Sequence, residues 1–71
     1  MKDKCIDYWN KFSKYKETAE QHEFTIILQL DLYLTPRYNK LLNNFEEERA
    51  KKFIKSMELI FDNFGIEYEK L

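Results

Sequence analysis

The stretch Phe24-Thr25-Ile26-Ile27-Leu28-Gln29-Leu30-Asp31-Leu32-Tyr33-Leu34 decides the fold, because its pattern fits two different periods. Phe24, Ile26, Leu28, Leu30, Leu32 and Leu34 alternate strictly with Thr25, Ile27, Gln29, Asp31 and Tyr33. That is the two-residue period of a half-buried strand. Composition argues the other way. Four of the eleven residues are leucine and the whole chain lacks valine, whereas strands favour β-branched side chains and leucine favours helix. No turn signal leads from the stretch to a partner strand. A helix here is apolar over most of its circumference, as a helix central to a small bundle is. The sequence therefore reads as an all-α fold, with a strand at 24–34 as the alternative.

Downstream, Thr35-Pro36 predicts a boundary. Threonine is a good N-cap, proline suits the first helical position, and the residue before proline is driven out of the helical region. A short helix is expected over about Pro36–Leu42, closed by Asn43-Asn44. A longer amphipathic helix is expected over Phe45–Phe64, with Asn44 as cap and Glu47 completing a capping box. Ala50, Phe53, Met57, Ile60 and Phe64 recur at helical spacing, and Ile54 and Phe61 widen the stripe. Gly65, the only glycine, stands where a left-handed C-cap belongs, and Ile66 can fold back on Phe61.

Upstream, Lys4–Glu20 reads as an amphipathic helix through Cys5, Trp9, Phe12, Tyr15 and Ala19. The stripe extends through His22, Ile26, Leu30 and Tyr33, so a long or kinked N-terminal helix is expected. Unbroken from Asp3 to Leu34 it would be about 48 Å long. A chain of 71 residues could not cover both ends of such a rod, and a homodimer that completes the core is the expected solution. All 71 residues are read as one helical domain.

Composition narrows the function. Lysine and arginine number 12 against 13 Asp and Glu, so no whole-chain field draws nucleic acid or acidic membrane. The charge alternates by segment: +3 over 1–16, −4 over 17–34, +2 over 35–52 and −2 over 53–71. No apolar run is long enough to span a bilayer or serve as a signal peptide, so the expected compartment is the cytoplasm, with no membrane association. One Cys and one His build neither a disulfide framework nor a metal site, and one Gly excludes phosphate-binding glycine loops; no cofactor is expected. Phe, Tyr, Met, Ile, Asn and Lys supply 34 residues and Gly, Ala, Arg and Pro only 6. The bias toward AT-rich codons points to a low-GC bacterium or one of its phages or plasmids.

Catalytic chemistry is hard to assemble. His22 has no Ser or Cys at helical spacing to activate. Cys5 lies near Lys2 and Lys4 but opens the apolar stripe, which makes it a small buried hydrophobe. Lys11, Lys14 and Lys16 interleave with Trp9, Phe12 and Tyr15, the mixture that single-strand binders use for phosphate contact and base stacking. Buried aromatics beside lysines that snorkel to solvent explain the same pattern.

With the strand alternative, strand, short helix and long helix over Phe24–Gly65 resemble the order of the ribbon-helix-helix repressors. That resemblance implies a dimer whose paired strands enter the major groove. Its outward residues here, Thr25, Ile27, Gln29, Asp31 and Tyr33, include no base. Leu28, Leu32, Tyr38, Leu59 and Tyr68 fall off the main stripes and are the candidate protein interface. The expected function is a non-catalytic protein-interaction or regulatory module, an accessory or inhibitor protein, with a dimeric nucleic-acid-binding regulator as the alternative.

Overall fold

The computed structural model describes residues 1–68, and for Gln21 and His22 the backbone alone. Three helices follow one another, α1 over Lys2–Thr18, α2 over Gln21–Asn43 and α3 over Glu47–Phe64, and there is no strand among the described residues. The all-α reading holds. The ribbon-helix-helix alternative does not, because residues 24–34 lie inside α2. The alternating set does not share an environment: Leu34 is buried while Ile26 and Leu32 are 52% and 75% exposed. Burial in α2 follows Ile27, Leu34, Tyr38 and Leu41, which is the helical period.

The boundary expected at Thr35-Pro36 is absent, and Pro36 sits within α2. Proline already has a helical φ; its cost is the lost bond to the Leu32 carbonyl and a clash with it. The Arg37 guanidinium donates to the neighbouring Tyr33 carbonyl at 2.6 Å. Side chains on both sides of the proline reach one core, Ile27 and Leu34 before it and Tyr38 and Leu41 after it, which keeps the helix continuous.

The chain reverses instead at Ala19-Glu20, both in extended backbone. The Thr18 hydroxyl bonds back to the Lys14 and Tyr15 carbonyls there. So the rod from Asp3 to Leu34 is two helices, and folding them together covers apolar surface that a single rod would leave in water.

α3 begins at Glu47, with Glu46 at its N-cap position, while Asn44 closes α2 by donating its N–H to the Lys40 carbonyl. The expected capping box is therefore not formed. Glu47 and Glu48 still complement the positive end of the α3 dipole. At the other end Gly65 has φ +69°, and the Ile66 N–H reaches the Phe61 carbonyl at 2.8 Å. That is the left-handed cap read from the sequence.

The core is Cys5, Tyr8 and Phe12 from α1, the four α2 residues already named, and Ala50, Phe53, Ile54, Met57 and Phe61 from α3. Trp9, Tyr38 and Phe53 meet at the junction of the three helices, with Trp9 stacked on Tyr38 at 4.6 Å and Tyr38 5.9 Å from Phe53. The molecule measures 35 × 25 × 15 Å, so α2, about 35 Å long at 23 residues, runs its full length.

Candidate functional site

α1 turns the Trp9–Lys16 face inward. Phe12 is fully buried, and Trp9 lies between Tyr38 and Phe12, 5.7 Å from the latter. Tyr15 donates its hydroxyl to the Glu23 carboxylate and rests against Phe64 at 5.6 Å. Lys16 pairs with Asp31 at 3.2 Å, and Lys11 donates to the Glu67 carbonyl at 2.8 Å. Of the six residues only Lys14 is exposed. The rings that would stack on bases are already packed on the protein.

Burial and bonding also set the titration of these groups. Tyr8 donates to Glu58 at 3.2 Å, and its pKa is pushed up to about 12, first by burial and then by that bond. Tyr15 also reaches about 12, mainly through its bond to Glu23. Burial raises the Cys5 thiol, which favours the inert protonated form. The side chain of His22 lies outside the described residues.

The candidate interface residues separate into three groups. Tyr38 is buried at the helix junction, and Tyr68 is half-buried against Tyr8 and Phe61 with its hydroxyl on Asp62. Leu59, 58% exposed on α3, has Lys55, Asp62 and Asn63 one turn away and stands as a single surface leucine. Leu28 and Leu32 belong to something larger. With Phe24 and Leu42 they form an exposed apolar stripe along α2. At helical spacing these four residues, with Thr35 and Asn39 between them, fall within an arc of about 80°.

A second feature depends on how two helices pack together. Between the C-terminal half of α2 and the first half of α3 lies an open cleft of about 360 Å³. Arg37 and Lys40 line it from α2, Arg49 and Lys52 from α3, and among the described residues no carboxylate lines it. Its buried floor is Leu34, Leu41 and Phe53. The Arg37 guanidinium lies over the Tyr33 ring at 3.6 Å, and Arg49 pairs with Glu46 at 2.5 Å. The ammonium groups of Lys40 and Lys52 make no ion pair or hydrogen bond among the described residues. The signal was present as Arg-x-x-Lys at 37–40 and again at 49–52, each with a buried residue second, Tyr38 and Ala50. That spacing puts two cations on one helix face beside a side chain that anchors the helix.

Among the described residues no helix is long and apolar enough to cross a membrane, and no three His, Cys, Asp or Glu side chains come together as metal ligands. The chain matches no protein-family model, no curated protein and no solved structure, so its function is read from these residues alone.

Proposed function

We propose that the chain is a non-catalytic protein-interaction or regulatory module that acts as a homodimer, with the outer stripe of α2 as the seam. The observation that carries this is the row Phe24, Leu28, Leu32 and Leu42, which is 39% to 75% exposed on the longest helix. An apolar row of that length on a small chain is a liability in water unless something covers it. The chain also exposes 5238 Å², more than the about 4800 Å² usual for a monomer of its mass.

A second copy fits the row. From Leu28 through Leu32, Thr35 and Asn39 to Leu42 the steps are four, three, four and three, the spacing of a coiled-coil seam. Asn39 within the seam would fix register. Glu23, Arg37 and Lys40 of α2 lie off this arc at helical spacing, so a second copy meets it without bringing like charges together.

Sedimentation at about ten micromolar chain tests the reading, since association follows mass action. A dimer is expected for the unaltered protein and a folded monomer for Leu32→Glu. Leu59→Ser, at an isolated position, is expected to leave the dimer intact. A monomer for the unaltered protein overturns the dimer. The competing reading, a nucleic-acid-binding regulator, has lost its ribbon at 24–34 and its stacking face at 9–16, and retains only the basic cleft.

A further inference from the structure

We infer that the cleft between α2 and α3 binds a phosphorylated ligand that carries a planar ring, the chemistry of a nucleoside phosphate. Three observations converge on it.

The first is charge. Arg37 and Lys40 on one wall and Arg49 and Lys52 on the other surround the cleft, with no lining carboxylate among the described residues. Four like charges around one concavity raise its potential, and the apolar floor of Leu34, Leu41 and Phe53 focuses the field. Lys40 and Lys52 make no ion pair or hydrogen bond among the described residues that would fix them there. The floor is already sealed, and the long cationic side chains would be solvated equally well at other exposed positions. Among the described residues Arg49 pairs with Glu46 alone, and both side chains are about half exposed, at 53% and 49%. An exposed pair of that kind is weak, so a doubly charged phosphate can replace Glu46 as its partner.

The second is shape. A volume of about 360 Å³ is at the lower end for small-molecule sites. It is more than a bare inorganic ion fills. The third is the wall chemistry. Tyr33 presents a half-exposed ring with Arg37 across it, which is a platform for a planar group. Ser56 supplies a hydroxyl beside the buried Phe53. Phosphate on the cations and a base against the open part of the Tyr33 ring use both the charged walls and the aromatic edge of the cleft.

The site is independent of the seam. Tyr33, Arg37 and Lys40 lie on the far side of α2 from Leu28, Leu32 and Leu42 at helical spacing. Self-association and ligand binding can therefore succeed or fail separately. A phosphate beside a base comes either as a free nucleotide or as part of a single strand of nucleic acid, and the experiment separates them.

The probes are ADP, adenosine, inorganic pyrophosphate and a short oligothymidylate, titrated at low ionic strength into isotope-labelled protein and followed by amide chemical shifts. ADP is expected to move resonances over 33–41 and 49–56 and to bind more tightly than adenosine or pyrophosphate. Lys40→Ala/Lys52→Ala, at two exposed positions, is expected to stay helical and to weaken ADP by about tenfold or more. Lys14→Ala is expected to change nothing. Oligothymidylate that binds more tightly than ADP and is lost in the same double variant confirms the site and assigns a nucleic-acid strand as the source. ADP as the tighter ligand assigns a free nucleotide. The proposal is overturned if neither ADP nor the oligonucleotide shifts these residues, or if binding survives the double substitution. Pyrophosphate as tight as ADP removes the ring and overturns the ligand class.

Discussion

Replacing Phe53 by alanine removes the α3 member of the aromatic junction that joins all three helices. Phe53 is 5% exposed, with Tyr38 at 5.9 Å and Trp9 at 6.4 Å. A buried phenylalanine withdraws about 150–200 Å² from water, worth about 4–5 kcal/mol at the usual coefficient. Residual compactness of the unfolded chain lowers that toward about 3 kcal/mol, and the cavity left beside Trp9 and Tyr38 adds some back. The expected cost is about 3–5 kcal/mol, as for other large-to-small changes in cores. A chain of 71 residues has a total stability of about 4–11 kcal/mol. The variant is thus expected to lose at least about a quarter of it, and all of it at the low end of that range.

The assay is a urea titration at fixed protein concentration, followed by far-UV circular dichroism and by the fluorescence of Trp9. Trp9 is the only tryptophan, and its stack on Tyr38 places the probe at the altered junction. Coincident transitions license a two-state free energy. A loss below about 1 kcal/mol with an unchanged slope would refute the reasoning, because it would put Phe53 on the wrong face of α3. If Phe53→Ala does not fold, Phe53→Leu keeps most of the volume and gives up two aromatic contacts, at about 0.5–1.5 kcal/mol each.

Two further outcomes follow from the buried polar groups. Tyr8 and Tyr15 titrate near 12 in the folded chain and near 10 when unfolded. Their contribution is complete below about pH 10, is lost as the unfolded chain ionises first between about pH 10 and 12, and changes no more above that. Tyr8→Phe/Tyr15→Phe is expected to flatten the alkaline fall in melting temperature, and a fall of unchanged steepness counts against both hydrogen bonds. Cys5, 2% exposed with a raised thiol pKa, is expected to react with a thiol reagent only through opening of α1, faster as urea is added. Reaction at the rate of a free thiol in the native protein contradicts its burial.

The sequence exposed α3 almost whole because local and tertiary signals agree there. The stripe from Ala50 to Phe61 faces the core, Gly65 takes the left-handed cap, and only the entry differs, by two residues. The division between α1 and α2 is harder to read because the signals disagree. The strongest local marker, Thr35-Pro36, costs about 3 kcal/mol inside a helix. That cost is opposed by core residues on both sides of it, and their partners come from α1 and α3, which no local rule sees. The true reversal at Ala19-Glu20 has no glycine, proline or asparagine to mark it. Its cause is the apolar surface gained by folding α2 back. The basic cleft was hidden for a related reason. Summed over 35–52, Glu46, Glu47 and Glu48 dilute the cations to +2. Only the pairing of two helices shows that those carboxylates stay off the lining.

Continuity of α2 through Pro36 has a consequence for self-association. Had the chain broken there, Leu42 would belong to a different helix from Phe24, Leu28 and Leu32. As it is, the four lie on one rod and leave the equivalent of about two side chains per protomer in water. Covering them in both copies is worth about 6–12 kcal/mol gross, the same order as the about 4–15 kcal/mol that two proteins give up on associating. Apolar burial therefore brings the dimer to balance without making it tight. Charge adds little to that balance, because the basic residues of α2, Arg37 and Lys40, lie on the side of the helix away from the seam. The dimer expected in sedimentation should then hold or strengthen as sodium chloride rises. A dimer that weakens steeply under the same salt is held by charge pairs, which salt screens, and that result would refute the apolar row as the seam.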